Sequence, residues 1–239
     1  MKVIICKDYA ELSHEAFKIM KEVVVAKPNA VLGLATGSSP EGLYAEMIQD
    51  HKENGTSYKE VSSYNLDEYV GIDREDKNSY YTFMNEKLFS GIDINPNNTH
   101  VPYGSTQEDC DAYEQSLSKV SIDCQVLGIG NNGHIGFNEP GTPFDTLTHI
   151  VDLTDSTIQA NCRYFDNDVN KVPKQAMSMG IGSIMKSKKI ILIASGSAKS
   201  DAVSAMVDGP ITVDCPASAL QNHPDVTVIV DQEAGKKLK

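Results

Sequence analysis

The sequence predicts an α/β protein built on a single open, mostly parallel, doubly wound sheet with helices on both faces. Three observations predict it. Short apolar runs alternate with stretches of helical periodicity, the order that a parallel sheet with crossover helices requires. One run, Cys124 to Ile129, is apolar almost throughout, as expected of a strand covered on both faces. Loops rich in Gly, Ser, Asp, Asn and His follow directly on four of the runs.

Val3 to Cys6 reads as the first strand. Asp8 then caps a helix, with Glu11 placed for a capping box and Leu12, Ala16, Ile19, Met20 and Val23 as its apolar stripe. Val31 to Ala35 is the next strand, and Ser39-Pro40 reads as N-cap and first residue of a helix to about Asp50. Val61 to Leu66 is a third strand, Ser79 to Phe89 is helical, and Thr106 caps a helix to about Lys119. Cys124 to Ile129 is expected at the centre of the sheet. Ala176 to Met179, Ile190 to Ala194 and Val226 to Val230 complete the strands. A Ser197-capped helix and a Pro216-started helix lie between the last two.

Composition narrows the function. The chain has 239 residues, 40% hydrophobic and 23% charged, enough for one large domain with a sizeable core. A net charge of −12 disfavours nucleic acid and anionic lipid, and no basic patch overrides it. Five cysteines, an odd number with no CxxC, argue against a disulfide framework. No run has the length of a membrane span or a secretory leader, so a cytoplasmic protein is expected.

Ligands of open α/β sheets bind at the carboxyl ends of the strands. The four polar loops therefore converge on one expected site. Thr36-Gly37-Ser38-Ser39 joins a strand to a helix and could cradle a phosphate, though a tight turn with a Ser cap explains it equally. Lys199 falls at a helix start, where a cation opposes the helix dipole unless an anion joins it. The segment Gly128 to Pro140 holds four glycines in nine residues and His134. Glu139 is placed to fix one imidazole nitrogen, unless His134 is merely structural. No other His or Cys stands at metal-ligand spacing from it, so no metal is expected. Asp67 and Glu68 end a strand on opposite faces. One suits a cleft base and the other a structural acceptor, unless both are solvated.

Leu34-Ala35-Thr36-Gly37-Ser38-Ser39-Pro40, Asn65-Leu66-Asp67-Glu68-Tyr69-Val70-Gly71, Gly130-Asn131-Asn132-Gly133-His134-Ile135-Gly136-Phe137-Asn138-Glu139-Pro140 and Arg163-Tyr164-Phe165-Asp166 occur in that order. Together they closely resemble the glucosamine-6-phosphate deaminase family over nearly the whole chain. The resemblance implies a single Rossmann-like domain over residues 1–239 with a mobile lid around 153–175. It implies conversion of D-glucosamine 6-phosphate and water to D-fructose 6-phosphate and ammonia, with no metal or organic cofactor. It assigns ring opening to His134 with Glu139 and Asn132, proton transfer between C2 and C1 to Asp67, and phosphate binding to Thr36, Gly37, Ser38, Ser39, Arg163 and Lys199.

Two departures stand out. Many relatives carry Asp where this chain has Asn132, whose amide is expected to hold the imidazole without charging it. Longer hexameric relatives bind the activator N-acetylglucosamine 6-phosphate through basic residues after the Asn-Glu-Pro motif. Here Thr146 to Val151 contains no Lys or Arg, so hyperbolic kinetics and a monomer or small homo-oligomer are expected. Two competing readings remain open at this point. A 6-phosphogluconolactonase would have less need of Asp67 as a carbon base, and a sugar-phosphate sensor would carry a DNA-binding domain.

Overall fold

The computed structural model describes residues 1–239. The chain opens with β1 (Lys2–Cys6) and α1 (Tyr9–Ala26). Asp8 caps α1 by accepting from the Glu11 amide, but Glu11 returns its carboxylate to the amide of Lys7 rather than of Asp8, so the box is open by one residue. β2 (Val31–Leu34) leads to α2 (Glu41–Asn54). That helix starts one residue later than the Ser39 cap predicts: Pro40 is the N-cap, no side chain caps it, and it runs past Asp50 to a left-handed Gly55. β3 (Ser62–Asn65) and β4 (Asp67–Tyr69) follow, then α3 (Tyr80–Lys87), capped by Ser79. β5 (Thr99–His100) precedes α4 (Gln107–Leu117), where Thr106 and Asp109 form a complete capping box.

β6 (Cys124–Leu127), β7 (His149–Asp152), α5 (Asp155–Asn161), β8 (Gln175–Ser178), α6 (Ile181–Ile184) and β9 (Ile190–Ala194) come next. α7 (Ser200–Asp208), β10 (Val226–Asp231) and α8 (Gln232–Gly235) close the chain. Gly196 rather than Ser197 stands before the 3₁₀ turn that leads into α7, and Pro216 starts a 3₁₀ helix rather than an α-helix.

Seven strands form a parallel sheet in the order β1-β10-β9-β6-β2-β3-β5. β6 is at its centre, as its sequence predicts. The sheet nucleates a core of 49 buried residues, to which β9 contributes all five of its own. From β2 the chain adds β3 and β5 on one side, and from β6 it adds β9 and β10 on the other. The order therefore reverses between β2 and β6. The loops leaving these strands diverge there and open a crevice.

The sequence predicts one sheet; there is a second. β4, β8 and β7 form a three-stranded antiparallel sheet, so the strand at 176–179 belongs to this smaller unit and not to the main one. It carries its own cluster of eight buried residues, among them Tyr69, Phe137, Phe165 and Ala176. β3 and β4 are separated by Leu66 alone, whose amide donates to Leu34 of the main sheet and whose carbonyl accepts from Met179 beside the small one. Asp67 is thus the first residue past the junction of the two sheets. No helix is long and apolar enough to cross a membrane.

Candidate active site

A cleft of about 540 Å³ lies at the reversal point. Its walls are the loop after β2, the β3–β4 junction, the glycine-rich loop after β6, the α5 segment and the turn before α7. Of the ten residues singled out from the sequence, nine line it: Asp67, Asn132, His134, Thr36, Gly37, Ser38, Ser39, Arg163 and Lys199. The tenth, Glu139, lies behind His134 and Asn132.

Asp67 and Glu68 are both buried, at 7% and 2% exposure, and their roles divide as strand alternation requires. Glu68 turns away from the cleft and accepts from the backbone amides of Tyr69, Tyr80 and Tyr81, pinning the start of α3. Asp67 faces the cleft with no donor to its carboxyl oxygens. Burial, and then the neighbouring Glu68, push its carboxyl up to about 8.

The glycine-rich loop folds back on itself: Gly130 donates to the His134 carbonyl and Gly133 to that of Gly130. The imidazole packs flat over Gly130, where a Cβ would come within 2.4 Å of its Cε1. No other residue leaves room for the ring. Asn138 ties the far end down by donating to Ile135 and Met179, and Phe137 donates to Ser178 of β8.

Glu139 Oε2 lies 3.4 Å from His134 Nδ1, an electrostatic contact longer than a good hydrogen bond; the buried nitrogen has no other partner. Asn132 does not hold the imidazole, contrary to the sequence expectation. Its amide nitrogen donates to Glu139 Oε2 at 2.6 Å, and its amide oxygen accepts from the His134 backbone N–H at 3.2 Å. Both ends of its amide are thereby taken, which leaves neither for the ring. On the other carboxylate oxygen, Thr157 donates at 2.7 Å. Burial pushes the Glu139 carboxyl up, but His134, Thr157 and Asn132 outweigh it and hold it down at about 2.

The opposite end of the cleft is cationic. Lys199 is half-buried without a carboxylate partner, and burial, then the nearby Arg163 charge, lower its pKa. The Arg163 guanidinium lies over the Tyr164 ring and donates to its hydroxyl at 3.0 Å. Two like charges converge beside the hydroxyls of Thr36, Ser38 and Ser39, and Gly37 takes a φ of +88° to turn that loop. Such a corner suits a dianion. No group of three His, Cys, Asp or Glu side chains is arranged to hold a metal ion.

Sequence reasoning missed Thr154, Thr157, Asn161 and Tyr69. Asn161 donates to the Tyr69 hydroxyl, fastening α5 to β4. The available signal was Thr154, which caps α5 through the Thr157 amide in an ordinary helix-start pattern.

A family model described as glucosamine-6-phosphate isomerases/6-phosphogluconolactonase matches residues 8–229. The chain belongs to this family. It is 50% identical over its full length to the glucosamine-6-phosphate deaminase of Mycoplasma mycoides, covering 98% of that protein. It is 49% identical to the one of Halalkalibacterium halodurans, covering 100% of this chain and 98% of the other. Among solved structures, a monomeric glucosamine-6-phosphate deaminase superposes with a TM-score of 0.97 at 46% identity, covering 99% of this chain and all of the other. The Trypanosoma brucei 6-phosphogluconolactonase, at 18% identity and a TM-score of 0.81 with coverage of 100% and 98%, shares the fold.

Proposed function

We propose that this chain converts D-glucosamine 6-phosphate and water to D-fructose 6-phosphate and ammonia. Asp67 carries the reading. A buried carboxyl brought near neutral pH, with no donor to satisfy its charge, suits a base that takes a proton from carbon and returns it. Hydrolysis of a lactone has no such task.

The phosphate binds to the Thr36 to Ser39 loop, Arg163 and Lys199, and this remote anchor sets C1 and C2 against the opposite wall. His134 moves the proton between the ring oxygen and the anomeric hydroxyl, which opens the ring; Glu139 supports it with a fixed negative charge. Asp67 then takes the C2 proton, giving an enolamine, and delivers it to C1. The resulting C2 imine adds water and releases ammonia, so the atoms balance. No metal or organic cofactor enters this scheme.

Residues 153–175 act as a lid on a single domain of 1–239, excluding water while the enolamine exists. The chain works as a monomer or small homo-oligomer in the cytoplasm, a setting that suits five unpaired, buried cysteines. The relative with a TM-score of 0.97 is described as monomeric, which supports that assembly. Substrate saturation is hyperbolic, and N-acetylglucosamine 6-phosphate leaves it unchanged.

The test is release of ammonia and fructose 6-phosphate from glucosamine 6-phosphate, with EDTA present and Asp67→Asn alongside. Equal amounts of both products, resistant to EDTA and lost in the variant, are expected. A silent wild-type protein would overturn the reading.

A further inference from the structure

Glu139 is held from two sides by groups on different parts of the molecule. Oε2 takes Asn132 from the glycine-rich loop, at 2.6 Å, and faces His134 Nδ1 at 3.4 Å. Oε1 takes Thr157 from α5, at 2.7 Å, with Thr154 at 3.4 Å. Because Glu139 is ionised, the Thr157 hydroxyl must be the donor. Its lone pair accepts from the Thr154 hydroxyl at 3.0 Å, and Thr154 in turn accepts from the Thr157 amide. Thr154 Oγ1 also lies 3.0 Å from Ser156 Oγ, so its one proton has a choice of acceptors, whereas the Thr157 proton goes to Glu139 alone. Thr157 is buried, at 7% exposure, and α5 is fastened at its other end to the Tyr69 hydroxyl through Asn161.

We propose that Thr157, backed by Thr154, is a positioning residue that holds the Glu139 carboxylate turned toward His134, so that the His–Glu pair is complete only while α5 is docked. A carboxylate held at one oxygen pivots about that bond; held at both, its plane is fixed. Asn132 alone cannot fix it. Arg163 follows α5 by two residues, so the segment that grips the phosphate also completes the pair at the far wall. Docking of the segment and orientation of Glu139 become one event. The inference rests on the function proposed above and adds a residue to it.

The experiment is steady-state kinetics on glucosamine 6-phosphate for Thr157→Val, which keeps the shape and removes the donor, and for Thr157→Ser, which keeps the donor. Each is measured alone and combined with Glu139→Gln. Thr157→Val is expected to lower kcat about tenfold with KM within about twofold, as for an interaction used mainly in the transition state. Thr157→Ser should stay within about threefold of wild type. In the Glu139→Gln background Thr157→Val should cost nothing further, because both changes remove one interaction. Multiplying losses, a Ser variant as poor as Val, or a Val variant with wild-type kcat would each overturn the proposal. If Thr157→Val does not fold, Thr154→Val takes its place with the same requirement of non-additivity. A wild-type protein that releases no ammonia overturns the functional reading itself, and this inference with it; a wild-type enzyme with an unimpaired Thr157→Val overturns this inference alone.

Discussion

The two long walls of the cleft treat their carboxylates in opposite ways. At the junction of the two sheets, Asp67 is buried with no donor and beside a second acid, and its carboxyl is pushed up to about 8. Across the cleft, Glu139 is also buried, yet Asn132, Thr157 and His134 hold it down at about 2. Burial alone therefore does not set the charge of a buried acid; the count of donors around it does. A group that must exchange protons near neutral pH is starved of donors, and a group that must stay charged is surrounded by them.

The largest effect expected from breaking this contrast is at Asp67. Asp67→Asn should lower kcat/KM by about 10³-fold or more, within the span of general acid–base catalysis. In wild type, kcat/KM should rise with pH, reach half its limit near pH 8 and level off above that, since the base must be ionised. The same variant should be more stable than wild type above mildly acidic pH. A folded carboxyl at about 8 against an unfolded one at about 4 gives stability that is complete below pH 4 and lost as pH climbs to 8. The advantage of Asn should therefore grow across that window, to on the order of 5 kcal/mol at pH 8, in denaturant titrations.

Glu139→Gln should lower kcat about 10²-fold and act on stability with the opposite sign. A folded carboxyl at about 2 contributes stability that is present above about pH 4 and lost as pH falls to 2. The deficit of Gln should shrink across that lower window, and a deficit that grew there would contradict the assignment. Lys199→Ala should raise KM about tenfold and move kcat less, because the phosphate anchor is used before and during the reaction alike. The smallest effect belongs to Asn132→Asp, which sets a second carboxylate where an amide now donates at 2.6 Å. It should cost about 1 kcal/mol at neutral pH, a deficit that shrinks as pH falls, since one of the two acids then takes up a proton that relieves the repulsion.

The two walls also differ in how far the sequence announced them. β2, β6 and β9 are short apolar runs buried throughout, and the burial that makes them strands is written in their composition. The loops after them were legible because a glycine-dense loop with one His, or an Asp-Glu pair at a strand end, has few dull explanations. The small sheet was not legible as a sheet. β4 has three residues and β7 is half-exposed, and both are strands because β8, more than 20 residues beyond β7, pairs with each of them. Such pairing is a tertiary event with little local signal. Thr157 was invisible for a related reason: Thr154-Asp155-Ser156-Thr157 reads as a helix cap, and nothing local says that one hydroxyl reaches Glu139, 18 positions earlier. The same limit explains Asn132, whose role was placed on the ring rather than on the carboxylate beside it.

β1 lies at the edge of the main sheet, and its sheet partner is β10, in register from Lys2 opposite Thr227 to Cys6 opposite Asp231. On the ribosome, β1 is made long before β10 and must wait for it. At roughly 5–20 residues per second, about 220 intervening residues take on the order of 10 to 45 seconds to synthesise. During that time Val3, Ile4 and Ile5 have no strand to pair with, while β2 and β3 can already meet. The growing chain thus carries an apolar strand that stays unpaired until β10 has been made.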